Sequence, residues 1–498
     1  MVRNPSPARQ RKSRPAGLLM LVVLVAHRGF EPLISALRGR CPRPLDECAA
    51  SIRIARLRVT GQGGTRRLPR RTGVLGLSVI FALSVACSQG GSERPSGEPL
   101  PPDLQAVLEQ VAAIRGLSAP PGIRVAAITR EQIPDTLKAT LTETDRTAFA
   151  HLTTLYRLLG HLGPNETYED AYFGFAGNNL IGFYAPSQRT LYIVTVDGKS
   201  VDFASLGTLE RSTIAHELTH ALQDGSFDVQ KLFAGAADDL DWSLALNSVL
   251  EGDAVNVEGL WTRDHAGDPG TQPSRSAGGM LPGMGSTDRG AAAPALASAP
   301  PSVEREFRFP YTTGVEWVSI VRSRSGNQPI DAALGGSRLT TAEVIHPDLF
   351  ETGFEPQQVS LPDIATLLGT GWKHESGGAL GEFQLRNYLQ LHLTALPATK
   401  AAAGWFGDRY DVYTNGAEAV ATFRIRFSSA KDAVEFRAAQ DDFFAAANAV
   451  VTNGSAVTAV FPGGQTTVRA VLDGPDVLFV IGSSRAAAEA AMAALSER

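Results

Sequence analysis

The pentad His216-Glu217-Leu218-Thr219-His220 constrains this 498-residue chain more than any other stretch. Residues four apart share one face of a helix, so both imidazoles can aim at a single point only if the segment is helical. Ile214, Leu218, Ala221 and Leu222 supply an apolar stripe of helical spacing around the pair. Gly225 predicts the end of that helix. Two neutral imidazoles suit Zn²⁺, which takes nitrogen, oxygen or sulfur ligands tetrahedrally. Glu217 adjoins the first ligand, where it can take a proton from a water whose pKa the metal has lowered toward ~7.

A catalytic zinc keeps three protein ligands and one open position, so a third ligand is required. Glu251, 31 residues after His220, is the candidate, on a second helix expected from about residue 239 to 261. Asp253 or Asn247 could orient a ligand histidine through its other ring nitrogen. Asp238, Asp239, Asp241 and Glu258 lie close by in sequence and compete for the third position.

His216 to Gln223 resembles the active helix of thermolysin-type peptidases, and a glutamate on a following helix is the gluzincin arrangement. The chain also resembles a group of bacterial zincin-like proteins described as metallopeptidases or lipoproteins. The stretches that carry this are Gly182-Phe183-Tyr184, Leu191 to Val194, His216 to Asp224, Leu250 to Ala254, and Ala402 to Tyr410. Phe309-Pro310-Tyr311 and Ile345-His346-Pro347 add weaker matches, and together these span roughly residues 150–440. The resemblance implies a zincin fold and peptidase activity. The spacing from His220 to Glu251 exceeds that of thermolysin, so the intervening loop differs.

Residues 1–58 are Arg-rich with no sustained amphipathic pattern and are excluded from fold reasoning. Arg28-Gly29-Phe30-Glu31-Pro32 is what the reverse complement of a transfer-RNA T-loop region can encode. The segment is therefore expected to be translated antisense across a tRNA gene, upstream of the true start; an unusual disordered leader is the alternative. Residues 59–86 read as a lipoprotein-type signal peptide. Arg66, Arg67, Arg70 and Arg71 precede an apolar run from Val74 to Val85, and Ser84-Val85-Ala86-Cys87 resembles a bacterial lipobox with Cys87 as the lipidated residue. Ser84 departs from the branched apolar residue usual at that position. The apolar run is short of the ~20 residues that span a bilayer. A tether over residues 87–101 would follow.

Cys41 and Cys48 lie in the leader, so the exported chain would hold no cysteine besides Cys87. That leaves neither an internal disulfide nor a thiolate metal site. Residues 1–86 hold 16 of the 46 basic and 3 of the 51 acidic side chains, which leaves the other 412 residues a formal charge of −18. Such acidity argues against a nucleic-acid partner.

The expected fold is α+β: a zincin-like metallopeptidase domain over residues 102–262, followed by a C-terminal α+β sandwich over 401–498. Between them lie a Gly/Ala/Pro/Ser-rich linker or insertion (263–303) and a mainly helical segment (304–400) that could complete the cleft. Leu180 to Tyr184 and Thr190 to Val196 predict a strand pair whose edge could align an extended peptide by strand addition. The C-terminal segment alternates strands and helices and predicts an antiparallel sheet with helices on one face. His346 is the candidate oxyanion stabiliser, with Tyr311 and Arg409 as further options. His151 and His161 are expected at the edges of a core helix. Two functions compete: a lipid-anchored zinc metallopeptidase of the bacterial envelope acting on peptides or proteins, and a non-catalytic zincin-like lipoprotein used in binding or assembly. Glu217 separates them, because a purely structural zinc has no use for a carboxylate beside its ligands.

Overall fold

The computed structural model describes residues 97–177, 180–195, 198, 203, 206–265 and 300–496. The leader, the signal with Cys87, and nearly all of the 263–303 linker lie outside these. Gly97 is the first described residue, and Glu98–Pro99 already form a strand, so the segment expected as a tether ends inside a sheet.

That sheet has four strands in the order β1-β2-β4-β3: β1 (Glu98–Pro99), β2 (Arg124–Ile128), β3 (Gly182–Ala185) and β4 (Thr190–Val194). β2 and β4 run parallel; β1 and β3 lie antiparallel on the two edges. Its alternating residues serve two cores. Tyr184, Leu191 and Ile193 pack with Ile214, Leu218, Ala221 and Leu222 of the motif helix (Thr208–Phe227) and with Leu104, Val107 and Val111 of the first helix (Pro102–Arg115). Phe183, Ala185 and Tyr192 face the other way, toward the helices Glu143–Leu159 and Tyr168–Gly177. The apolar stripe read from the sequence is thus the buried face of the motif helix, which leaves the histidines on the opposite side.

Gly225 does not end that helix. The helix runs two residues further, and Asp228 ends it in the left-handed conformation (φ 49°) while its carboxylate caps the next short helix, Val229–Ala236. Gly225 serves packing instead: a Cβ there would lie 2.7 Å from Pro120. The second helix spans Leu240–Asp264, capped by Asp239. A further helix (Pro301–Phe309) runs through one π-helical turn (Pro310–Gly314) into Val315–Ser325. Gly314 and Gly252 meet here, and a Cβ on Gly252 would come within 2.5 Å of the Gly314 carbonyl.

The second sheet is antiparallel throughout, in the order β5-β6-β7-β11-β10-β9-β8: β5 (Lys373–Gly378), β6 (Trp405–Thr414), β7 (Ala419–Phe427), β8 (Val450–Asn453), β9 (Ala456–Val460), β10 (Thr466–Ala470) and β11 (Asp476–Gly482). It begins at Lys373, inside the stretch expected to be mainly helical. Helices cover both faces rather than one. Phe423, Ile425, Val477 and Phe479 pack against Phe436 and Phe443 of the helix Ala430–Ala446. Val420 and Val480 pack against Ala488 and Met492 of the helix Arg485–Ser496. The physical reason is visible in β11, where Val477 to Ile481 is apolar without interruption, the pattern of a strand buried on two sides. Among the described residues no helix is long and apolar enough to cross a membrane.

Candidate metal centre

The motif helix and the second helix cross so that His216, His220 and Glu251 converge. Their ligand atoms all lie within 4.8 Å of one another, and the group is buried. Glu251 Oε2 is 3.3 Å from His216 Nε2 and 3.5 Å from His220 Nε2, and the two Nε2 atoms are 2.9 Å apart. Such a cluster could hold a metal ion.

The surrounding contacts set which nitrogen of each ring faces the centre. His220 Nδ1 donates to Gln223 Oε1 at 2.6 Å, with the amide oriented by its own donation to Leu250 O and to Asp253 Oδ2. His216 Nδ1 lies 3.2 Å from Glu258 Oε2. The Gln223 contact fixes the hydrogen of His220 on Nδ1, and on both rings Nε2 is the nitrogen that faces the carboxylate of Glu251. Two ring nitrogens and a carboxylate that face each other in a buried space call for a cation. With neutral rings, Glu251 Oε2 meets no donor among the described residues. Burial opposes charge on His216, but contacts with Glu251 and Glu258 outweigh it and raise its pKa to about 10. Burial likewise opposes charge on Glu251, yet His220 and His216 bring it down to about 2. Burial holds His220 below its ordinary value.

Glu217 is fully buried, and its Oε2 accepts from the Tyr184 backbone N–H at 2.9 Å. In the β3–β4 register this N–H points out from the sheet edge. The expected edge strand is therefore present. However, all four of its residues are buried and its outward N–H is taken, so an added peptide strand would have to displace Glu217.

The supporting residues differ in part from those expected. Asp253 does not touch a ligand histidine; it acts through Gln223 and is itself held by Arg115 at 2.7 Å and by Arg322. Asn247 lines a neighbouring cavity instead. Glu258, weighed as a third ligand, flanks His216 from outside. His346 pairs with Glu382 at 3.0 Å and is absent from the cavity lining. Arg409 pairs with Asp411 within the second sheet. Tyr311 is the option that reaches the centre: the π-helical turn carries it to Glu251, and burial together with the charge of Glu251 pushes its hydroxyl pKa well up. His161 is not at a helix edge but buried. Trp405 forms a buried corner, donating from Nε1 to Asp408 at 2.8 Å. Gln223 was legible in principle, since it lies one helical turn past His220.

A family model described as a domain of unknown function (DUF8575) matches residues 370–492. The match takes in the second sheet and not the His/Glu cluster. No curated protein and no solved structure matches the chain.

Proposed function

We propose that this protein is a zinc metallopeptidase of the bacterial envelope with a zincin-like fold. The observation that carries the reading is the convergence of His216, His220 and Glu251 with Glu217 beside them. Bonds of about 2.0–2.2 Å at tetrahedral angles place zinc ligand atoms about 3.3–3.6 Å apart. The two histidine-to-Glu251 separations fall in that range, and the 2.9 Å between the Nε2 atoms needs only a small ring rotation. His216, His220 and Glu251 would hold the ion, which would supply Lewis-acid polarisation of a peptide carbonyl and a lowered pKa for water. Glu217 takes the proton of the attacking water and returns it to the leaving amine. The Tyr184 N–H keeps that carboxylate in place, and the Tyr311 hydroxyl, which contacts Glu251, would turn to donate to a developing oxyanion. Cys87 would carry a lipid and hold the catalytic part on the extracytoplasmic side of the membrane; the intact mass of the exported chain checks this.

The second reading, a non-catalytic lipoprotein on the same scaffold, is favoured by one feature: Glu217 is enclosed and already hydrogen-bonded. One comparison separates the two. The zinc-loaded full chain and its Glu217→Gln variant are presented with a mixed peptide library. Both should hold one zinc, while His216→Ala and His220→Ala lose it. Turnover should drop about 10²–10⁴-fold in Glu217→Gln, the usual contribution of a general acid–base group. A wild type that binds zinc and cuts no peptide would sink the peptidase reading.

A further inference from the structure

Beside Glu251 lies a cavity of about 160 Å³ that reaches away from the metal centre. A single water needs only about 10–15 Å³, and a cavity near 150 Å³ admits a benzene-sized group. The space therefore suits a side chain. Its walls include the rings of Phe149, Tyr168, Tyr172, Phe307 and Tyr311. Glu306 also lines it.

Glu306 is an unusual wall for such a space. Its carboxylate accepts from the Tyr156 hydroxyl and from the Tyr168 hydroxyl at 3.0 Å, and Gln384 adds a third contact. All three are neutral. Burial outweighs them and raises the Glu306 pKa, and no cation figures among the groups acting on it. The neighbouring arginines are committed elsewhere, Arg305 to Asn387 at 2.8 Å and Arg308 to Glu304 at 2.6 Å. Of the other two acids in the lining, Glu251 belongs to the candidate metal centre, and Asp145 caps the N-terminus of its own helix, where it accepts from the Thr142 N–H at 2.7 Å. Tyr172 feels the charge of both Glu251 and Glu306, so the cavity joins the metal ligand at one end to this carboxylate at the other.

We propose that this cavity is the specificity pocket for a lysine or arginine side chain of the peptide held at the metal centre, with Glu306 as counter-charge. The proposal rests on the peptidase reading for the nature of its occupant. A cation threaded past tyrosine and phenylalanine faces gains cation–π attraction along its path. At the far end it meets a carboxylate that three fixed donors hold in position. A neutral aromatic or aliphatic side chain would fill the same volume but seal the Glu306 carboxylate away from water with only neutral donors and no counter-charge, which is costly. The ring walls select for length and the carboxylate for charge.

The test compares n-butylguanidinium with n-butanol by calorimetry on the zinc-saturated full chain, so that Glu251 is already engaged. The cation should bind at least about tenfold more tightly, in line with a charged hydrogen bond. Glu306→Gln should abolish that difference and leave butanol binding unchanged. In the peptide library, wild type should prefer cleavage next to Lys or Arg, and Glu306→Gln should lose the preference before it loses cleavage elsewhere. Equal binding of the two probes by wild type overturns the pocket, whatever is cleaved, and this comparison needs no variant to fold. Cation preference without any cleavage keeps the pocket and removes the peptidase reading. Cleavage with neither cation preference nor selective binding does the reverse.

Discussion

Both ring nitrogens of His161 are buried without a hydrogen-bond partner among the described residues, and the ring packs 4.9 Å from that of Tyr156. Burial, with Arg305 adding repulsion, pushes its pKa down to about 3. The unfolded chain binds this proton near pH 6.5 and the folded chain does not, so between those values the unfolded state holds more protons. Stability is therefore unaffected by this group above pH 6.5 and falls as pH drops toward 3, by about 5 kcal/mol at full extent. His161→Phe keeps a ring in place and removes the titration. Urea midpoints at pH 7 and pH 4.5 should show a markedly smaller acid loss in the variant; equal losses would refute the buried neutral imidazole. Sequence reading placed this histidine at a helix edge because leucines fix the buried face of a helix without fixing what covers the turn after it. The candidate metal group and its neighbouring carboxylate were far more legible. His216, Glu217 and His220 are forced together by chemistry within one helical turn, and Glu251 by the need for a third ligand. Tyr311 was weighed only as a further option beside His346 and Arg409, and Glu306 not at all, since both reach the site from beyond the linker and only tertiary packing brings them there.

Among elements, the second helix does most to build the site, because it delivers Glu251, Asp253 and Glu258 to a motif helix it crosses. Its position depends on backbone contact with the π-helical turn. At an open helix position, Gly→Ala stabilises by about 1 kcal/mol. At Gly252 the added Cβ would meet the Gly314 carbonyl at 2.5 Å and Val318 Cγ2 at 2.8 Å. Overpacking of that kind costs about 1–3 kcal/mol. Gly252→Ala should therefore destabilise in chemical denaturation and lower zinc affinity, since Tyr311 and Glu251 move apart together; a gain in stability would show that the helices are free to separate. The motif helix, the second helix and the strand pair before them were readable from periodicity. β5 was not: Lys373-His374-Glu375-Ser376-Gly377-Gly378 has neither an apolar run nor β-branched residues, and it is a strand because β6 pairs with it. The second covered face of the sheet was written in β11, whose unbroken apolar run is the signature that a one-sided reading overlooks.

At the scale of the molecule, the two expected domains share one core. A single apolar cluster runs from Leu155 and Tyr156 through Tyr388 to Phe423, Phe443 and Phe479. The N-terminal end of the second helix is fastened to the second sheet. Asp241 N–H donates to Ala379 O at 3.1 Å, the Tyr410 hydroxyl to Asp238 O at 3.0 Å, and Gly378 packs so closely on the Asp238 backbone that no Cβ fits. Asp408 in turn accepts from the Leu380 and Gly381 N–H groups, holding β6 to the same corner. The helix that carries Glu251 thus takes its start from residues that the family match assigns to the C-terminal part. Residues 97–369, expressed without that part, would leave Tyr156 and Leu155 open to water and Asp238 to Asp241 without their fastening. That piece should show no cooperative unfolding transition and should bind zinc far more weakly than the full chain, because an unplaced Glu251 leaves two histidines and too few ligands. Calorimetric unfolding and zinc stoichiometry on the two chains decide it. A truncated piece that melts cooperatively with one tight zinc would mean that the second sheet is an appendage, and that the candidate metal centre is built by residues 97–369 alone.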